Sequence, residues 1–129
     1  MTHQFEVRVY YEDTDLAGIV YYANYLKFIE RARTEYVRAL GVDQKELRTK
    51  EGIVFAVRRV EADYLSPARF DDVLRVETAP IAVSGARIIL KQSVKRGEVL
   101  LFSADVTLVA LDGTGRAARL PANIRRKLQ

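Results

Sequence analysis

The amino-acid sequence predicts an α+β fold in which an antiparallel five-stranded sheet wraps around one long helix. Residues 23–40 carry an apolar residue every three or four positions, the period of an amphipathic helix. Segments after residue 52 instead alternate with a period of two and are joined by short turns, as in an antiparallel meander. The long helix is the only one available to cover the apolar face of such a sheet. We expect a single domain over residues 1–129, since a chain of this length buries about 70% of its unfolded surface.

The long helix is expected to pack one face on the sheet and to expose the other. Its apolar face comprises Tyr25, Ile29, Ala32, Tyr36 and Leu40, and its polar face comprises Lys27, Arg31, Thr34 and Arg38. Gly41 follows as a usual helix terminator. Asp43 and Glu46 have the spacing of a capping box, which predicts a short second helix ending near Gly52. Residues 121–128 predict a basic helical turn with proline at its first position.

Five segments have the pattern of strands. They cover residues 5–11, 53–65, 73–83, 87–95 and 99–111. One face of the second strand is expected to carry Val54, Ala56, Val60, Ala62 and Tyr64. One face of the last strand is expected to carry Leu100, Phe102, Ala104, Val106, Leu108 and Ala110. Pro80 indicates a bulge or an edge, and Arg96-Gly97-Glu98 indicates a tight hairpin.

The other face of the last strand is also partly apolar. It carries Val99, Leu101, Val109 and Leu111. A solvated face does not require such a stripe. The stripe indicates either burial against another subunit or a core that extends to both sides of the sheet.

The composition limits the classes of function. The chain has no cysteine, which excludes disulfides, a thiolate zinc site and a cysteine nucleophile. No apolar run reaches the roughly 20 residues that cross a bilayer, and the N-terminus lacks the pattern of a signal peptide. We therefore expect a cytoplasmic protein without a membrane span. The net charge of +4 suits a phosphate-bearing ligand or nucleic acid, or simply a solvated surface. No nucleic-acid-binding motif is present, so no nucleic-acid partner is predicted.

Residues 11–35 contain the groups that suggest chemistry. Three acids, Glu12, Asp13 and Asp15, follow the first predicted strand, and a loop containing Gly18 leads from them into the long helix. Free backbone N–H groups at the start of a helix favour negative charge. A carboxylate near such a helix end is suited to acyl chemistry.

Several segments carry a family resemblance. They are Tyr10-Tyr11-Glu12-Asp13-Thr14-Asp15, Gly18-Ile19-Val20-Tyr21, Asn24-Tyr25, Glu30-Arg31-Ala32-Arg33 and Tyr64-Leu65-Ser66-Pro67-Ala68-Arg69-Phe70-Asp71-Asp72. In this order they resemble the 4-hydroxybenzoyl-CoA thioesterase family of hotdog-fold proteins, most closely its bacterial acyl-CoA thioesterase branch associated with the Tol-Pal genes. The resemblance implies a hotdog fold, acyl-CoA hydrolysis without a metal or other cofactor, and homodimers that pair into tetramers. It also implies active sites at the dimer interface.

The resemblance also implies roles for particular residues. Asp15 matches the catalytic aspartate, acting either as nucleophile or as general base for water. The Tyr22 amide matches the donor that stabilises the oxyanion, and the Ala23 amide is a second candidate because the loop turns into the helix there. Gly18 either lets the substrate approach the backbone or forms a turn. In the alternative interpretation, Asp15 only bonds the backbone of a turn and Tyr22 only packs in the core.

The side chains of this loop bear on the substrate. Ile19, Val20, Tyr21 and Tyr22 are expected to line the acyl pocket, which favours short-chain aliphatic or aromatic acyl groups. Relatives in the Tol-Pal branch usually carry histidine at the position of Tyr22, whereas the founding aromatic thioesterases carry an aromatic residue. The difference concerns substrate preference more than reaction type.

Other charged residues are expected to have supporting roles. Asp13 should pair with an arginine or cap backbone, Glu12 should face solvent, and His3 should lie in a frayed, solvated terminus. Helix glutamates are weaker candidates for catalysis, and the expected ion pairs are Glu30 with Arg33 and Glu35 with Arg38. Candidates for binding the coenzyme A phosphates are Arg58, Arg59, Arg87, Lys91, Lys95, Arg96, Arg125, Arg126 and Lys127.

The sequence thus predicts a thioester hydrolase that converts a short-chain aliphatic or aromatic acyl-CoA to the free acid and coenzyme A. An acyl carrier protein is a possible alternative carrier of the acyl group. A noncatalytic hotdog domain that binds acyl-CoA is the rival from another class. A basic module that binds nucleic acid is a weaker third alternative.

Overall fold

The structure, a computed structural model, describes residues 2–129, and Met1 lies outside the described residues. It contains a five-stranded antiparallel sheet with strand order β1-β3-β4-β5-β2. The elements are β1 (His3–Arg8), a 3₁₀ turn (Tyr11–Asp13), α1 (Asn24–Ala39), α2 (Gln44–Glu51), β2 (Val54–Tyr64), β3 (Val73–Val83), β4 (Arg87–Arg96), β5 (Val99–Leu111) and α3 (Ala122–Leu128). The predicted α+β class, with one long helix against an antiparallel sheet, is confirmed.

Helix α1 supplies one side of the hydrophobic core. Its buried residues are Tyr25, Phe28, Ile29, Ala32, Tyr36 and Val37. The sheet supplies the other side through residues such as Leu90, Phe102 and Val106, which are almost completely inaccessible to solvent. The predicted apolar face of the helix is therefore confirmed except at Leu40, which caps the helix end and is only partly buried. Burying one such large apolar side chain stabilises the fold by about 1.5–3 kcal/mol.

A bulge in β2 changes which residues face the core. Val57 pairs with Leu108 and Arg59 pairs with Thr107, so Arg58 is an extra residue between them. Because side chains alternate along a strand, one extra residue inverts the alternation. Val54 and Ala56 consequently share the outer face with Arg59. The prediction that these two residues lie on the same face as Val60, Ala62 and Tyr64 is wrong.

Bulges also occur in β5 and β3. In β5 the register shifts between Val94 and Lys95 of the adjacent strand, which leaves Leu101 as the extra, buried residue and Leu100 exposed. The prediction that Leu100 shares a face of the strand with Phe102 is therefore wrong. The predicted bulge near Pro80 is confirmed, since the pairing of β3 with β4 shifts directly after it.

The N-terminal strand differs from the predicted range 5–11. Strand β1 begins at His3, whose ring packs edge-on against Tyr36 with 6.0 Å between ring centroids. The prediction of a frayed, solvated His3 is therefore wrong, because pairing with β3 holds the strand at this residue. The chain leaves β1 after Arg8 and forms the 3₁₀ turn at Tyr11–Asp13 in place of a longer strand.

Strand β2 forms one edge of the sheet and pairs only with β5. Three apolar side chains on its inner face are incompletely covered: Val57 is 48% exposed, Val60 38% and Tyr64 48%. On the outer face, Val109 and Leu111 of β5 are partly buried, and Val54 of β2 is exposed. No helix in residues 2–129 has both the length and the apolar character needed to span a membrane.

Candidate active site

The loop between β1 and α1 is a small hairpin. Asp15 donates its backbone N–H to the Ile19 carbonyl at 2.9 Å, and the Tyr21 N–H donates to the Asp13 carbonyl at 2.9 Å. The Gly18 N–H donates to the Asp15 carbonyl, also at 2.9 Å. Gly18 has a φ of +80°, a conformation that other residues adopt only with strain, which explains the need for glycine in this turn. The hairpin holds Asp13 beside Tyr21 at its base, next to the start of α1, and places Asp15 opposite Ile19 nearer its tip.

Asp15 lies at the exposed tip of this hairpin. Its Oδ1 atom accepts a hydrogen bond from the Ala17 N–H at 2.9 Å, which is the turn contact of the alternative interpretation. Its other carboxylate oxygen, Oδ2, accepts no hydrogen bond from residues 2–129. The turn contact therefore leaves one oxygen available for chemistry.

Asp13 has a structural position. Its Oδ2 atom accepts a hydrogen bond from the Tyr10 N–H at 2.8 Å. Its backbone carbonyl accepts a second bond, at 2.9 Å, from the side-chain amide of Asn24. Of the two roles predicted for Asp13, backbone capping is confirmed and pairing with an arginine is not. Glu12 is exposed, as predicted.

The start of α1 has free backbone donors. The helix begins at Asn24. The preceding residue, Ala23, is at the N-cap position and has no side chain that could accept a hydrogen bond from the helix. In the part of the chain that the structure describes, the N–H groups of Tyr22 and Ala23 donate no hydrogen bond. Such orphan donors at a helix N-terminus favour a negatively charged partner.

The side chains of the loop differ in their burial. Val20 is only 3% exposed, and its N–H donates to the Ala68 carbonyl at 2.9 Å, so it anchors the hairpin to the segment after β2. Tyr21 and Tyr22 are exposed, and their rings contact each other with centroids 4.9 Å apart. Tyr21 and Tyr22 therefore form an accessible aromatic surface on this loop, and Val20 is not accessible.

A cluster of aromatic rings around Tyr64 packs against this loop. Tyr64 contacts the rings of Tyr22, Tyr25 and Phe102 at centroid distances of 6.1, 5.6 and 5.0 Å. Its hydroxyl donates to the Tyr22 carbonyl at 3.1 Å. Burial raises the pKa of the Tyr64 hydroxyl above its ordinary value. The sequence alone gives no sign of this role for Tyr64, although the residue opens one of the segments that resemble the family.

Comparison of the chain with known proteins identifies its family. Residues 9–128 match the thioesterase-like superfamily. The chain belongs to this superfamily. The acyl-CoA thioesterase YbgC of Haemophilus influenzae is 42% identical over 122 residues, which cover 94% of this chain and 90% of the relative. The acyl-CoA thioester hydrolase YbgC of Escherichia coli is 42% identical over 107 residues, which cover 82% of this chain and 79% of the relative.

Solved structures have the same fold. A probable thioesterase from Bartonella henselae is 37% identical with a TM-score of 0.90, over 94% of this chain and 100% of that one. A mutant 4-hydroxybenzoyl CoA thioesterase in complex with 4-hydroxybenzoyl CoA is 25% identical with a TM-score of 0.92, over 99% of each chain. The hotdog fold and the family resemblance are therefore confirmed, and this member of the superfamily is a thioester hydrolase.

A groove separates α1 of the thioesterase from its edge strand β2. The groove encloses about 270 Å³ and is lined by Glu30, Arg33, Thr34, Val37, Gln44, Phe55, Val57 and Leu108. Arg33 donates to the Gln92 side-chain carbonyl at 3.0 Å, and Glu30 accepts from the Thr34 hydroxyl at 2.7 Å. The predicted ion pair between Glu30 and Arg33 is therefore wrong, whereas the pair between Glu35 and Arg38 is confirmed at 2.6 Å.

Ion pairs reduce the set of free cations on the thioesterase surface. Four of the basic candidates pair with acids: Arg59 with Glu61, Lys91 with Asp105, Lys95 with Glu77 and Arg96 with Asp72. Lys127 donates to the Gly41 carbonyl at 3.3 Å. Of the other candidates, Arg58, Arg87 and Arg126 are exposed, Arg125 is half-buried, and none of the four forms an ion pair with the described residues. The three exposed arginines are the strongest remaining candidates for contacts with phosphate.

Proposed function

We propose that this chain hydrolyses a short-chain aliphatic or aromatic acyl-CoA thioester to the free acid and coenzyme A, with Asp15 as the catalytic carboxylate. The observation that carries the proposal is that one hairpin loop contains both Asp15, which keeps one carboxylate oxygen free, and, at its junction with α1, the unbonded amides of Tyr22 and Ala23. The names of the relatives support the class of substrate, since the YbgC proteins are called acyl-CoA thioesterases. A single domain spanning residues 1–129 carries the activity.

The amides would act on the thioester carbonyl. Attack on the carbonyl carbon places negative charge on the carbonyl oxygen, and a donor aimed at that oxygen lowers the barrier by about 3–4 kcal/mol. The amides of Tyr22 and Ala23 fit this role because no other group occupies them among the described residues. Since backbone supplies the donors, the side chain at position 22 is free to differ between relatives.

Asp15 has two chemical routes to the same products. In one, its carboxylate attacks the carbonyl and expels the coenzyme A thiolate, and water then cleaves the mixed anhydride. In the other, the carboxylate removes a proton from a water molecule that attacks the carbonyl directly. Thiolate is a good leaving group, so neither route requires a strong general acid. Acyl groups carried by an acyl carrier protein would react in the same way.

We expect two copies of the chain to pair along β2, with the site at their interface as the family resemblance implies. The free edge of β2 carries unpaired N–H and C=O groups, and Val57 and Val60 beside it are partly exposed. A two-fold axis that pairs β2 with its copy would join the two sheets and cover these side chains. The homodimer, and its pairing into a tetramer, are tested by sedimentation velocity. A monomer at micromolar concentration would contradict the pairing.

One observation favours the rival function, an acyl-CoA-binding domain without turnover. The hydrogen bond from the Ala17 N–H to Asp15 Oδ1 gives this aspartate a sufficient structural reason to be present. The substitution Asp15→Asn separates the two interpretations, because asparagine keeps Oδ1 as an acceptor for Ala17 but removes the negative charge. A structural role therefore predicts little change, and a catalytic role predicts loss of activity.

The experiment measures thiol release from a panel of acyl-CoAs by the wild type and by Asp15→Asn. We expect Asp15→Asn to lose about 10²-fold or more in kcat, the scale of removing one catalytic group. Glu12→Gln is the matched control, since it removes an equal charge from an exposed neighbour of the same loop. Circular dichroism checks the folding of each variant. A folded Asp15→Asn at full rate would refute the assignment, and binding of acyl-CoA without turnover would support the rival.

A further inference from the structure

The contact between Tyr64 and Tyr22 joins the edge strand to the start of α1. Tyr64 is the last residue of β2, and its hydroxyl donates to the Tyr22 carbonyl at 3.1 Å. This carbonyl belongs to the peptide unit that also contains the Ala23 N–H. A trans peptide unit is planar, and its C=O and N–H groups point in opposite directions. Fixing the Tyr22 carbonyl toward Tyr64 therefore directs the Ala23 N–H away from Tyr64.

We propose that Tyr64 is a positioning residue for the reaction, whose hydroxyl orients the Tyr22–Ala23 peptide so that the Ala23 N–H is held ready for the thioester oxyanion. The inference deepens the proposed function and depends on it. Donation to the carbonyl also polarises the peptide unit, which makes the N–H at its other end a better donor. The Tyr22 N–H lies on the adjacent peptide unit. Its direction therefore also depends on the hydrogen bond between the Tyr64 hydroxyl and the Tyr22 carbonyl.

The surroundings of Tyr64 hold its hydroxyl in this direction. Its ring lies edge-on to Phe102, which is fully buried, at 5.0 Å and an interplanar angle of 70°. Tyr25 adds a second edge-on contact at 5.6 Å. The chain directly after Tyr64 is fixed to the bulge in β5, because the Leu65 N–H and the Ser66 N–H donate to the Leu101 carbonyl at 2.8 and 3.1 Å. The ring therefore has little freedom to turn the hydroxyl elsewhere.

The variant Tyr64→Phe tests the inference, because it keeps the ring and removes only the hydroxyl. We expect kcat to fall by about 10-fold while KM stays within about twofold, since only an interaction made in the transition state is weakened. Tyr36→Phe is the matched control: this tyrosine lies near the C-terminal end of α1, and its hydroxyl forms no hydrogen bond among the described residues. We expect its kcat and KM to equal those of the wild type.

A second measurement follows the backbone directly. In a ¹H–¹⁵N correlation spectrum, Tyr64→Phe should shift the amide resonance of Ala23, and Tyr36→Phe should leave it in place. A Tyr64→Phe variant with wild-type kcat, or with an unchanged Ala23 resonance, overturns the inference. If the wild type cleaves thioesters and Asp15→Asn does not, either of these Tyr64→Phe results overturns the role of Tyr64 and leaves the proposed function in place. If the wild type cleaves no thioester, the proposed function fails, and this inference fails with it.

Discussion

The two ends of α1 differ in whether their backbone groups form hydrogen bonds within the chain. At the C-terminal end, the N–H groups of Gly41 and Val42 donate to the Arg38 and Val37 carbonyls at 3.0 and 3.2 Å. Lys127 from α3 reaches back to the Gly41 carbonyl. At the N-terminal end, the amides of Tyr22 and Ala23 have no partner among the described residues. One end completes its hydrogen bonds within the chain, and the other leaves donors available to a ligand.

The side chains at the two ends follow the same division. Tyr36, near the C-terminal end, is 5% exposed and packs with His3, whereas Tyr22, before the N-terminal end, is 61% exposed. Burial of apolar area stabilises the fold, and free polar groups at an open surface do not. We therefore expect the contacts that stabilise α1 to lie at its C-terminal end and the proposed chemistry to lie at its N-terminal end. Substitutions at the C-terminal end should therefore change stability, and substitutions at the N-terminal end should change activity.

The largest stability effect is expected from Leu128→Ala. Leu128 on α3 is 2% exposed and lines a small apolar cavity with Tyr36 and Leu40 at the C-terminal end of α1. Truncating a buried leucine to alanine removes apolar contacts and leaves a cavity, which costs about 2–5 kcal/mol. Urea unfolding measures this loss, and thiol release below the unfolding transition should be unchanged. A variant with wild-type stability, or with lower kcat while folded, would contradict the assignment of stability to this end of α1.

The sequence predicted the parts of the fold that depend on local patterns. The period of α1, the turn at Gly97 and the Asp43 cap all follow from neighbouring residues, and the structure contains each of them. The faces of β2 and β5 could not be predicted in the same way. Nothing in the sequence around Arg58 or Leu101 marks a bulge, and a single extra residue reverses the alternation beyond it.

The candidate site shows the same limit. Asp15, Gly18 and Tyr22 are close in sequence, so their place in one loop could be anticipated from the sequence alone. Tyr64 is 42 residues from Tyr22, and the contact between them depends on β2 running beside β5 as the edge of the sheet. The burial of Val20 and its hydrogen bond to the Ala68 carbonyl could not be anticipated either, because Ala68 lies in a distant segment of the chain.

Two glycines allow a matched comparison of the two ends of α1, with a smaller expected effect on stability than Leu128→Ala. Gly18 precedes the N-terminal end and Gly41 follows the C-terminal end, and their φ angles are nearly equal, at +80° and +83°. A β-carbon meets no atom within 4 Å at Gly18, and at Gly41 it meets only the Lys127 Nζ at 3.6 Å, an ordinary contact. Alanine at either position should therefore cost about 1–2 kcal/mol through backbone strain alone.

Equal strain should have unequal consequences for activity. The strain at Gly18 acts on the turn that holds Asp15, because the Gly18 N–H donates to the Asp15 carbonyl, so Gly18→Ala should lower kcat several-fold. Gly41→Ala should lose similar stability and keep wild-type kcat, since its contacts lie at the far end of the helix. Urea unfolding and thiol release on the same preparations measure both quantities. Equal losses of kcat in the two variants would mean that the ends are coupled through α1, and that the division between stability and chemistry is not real.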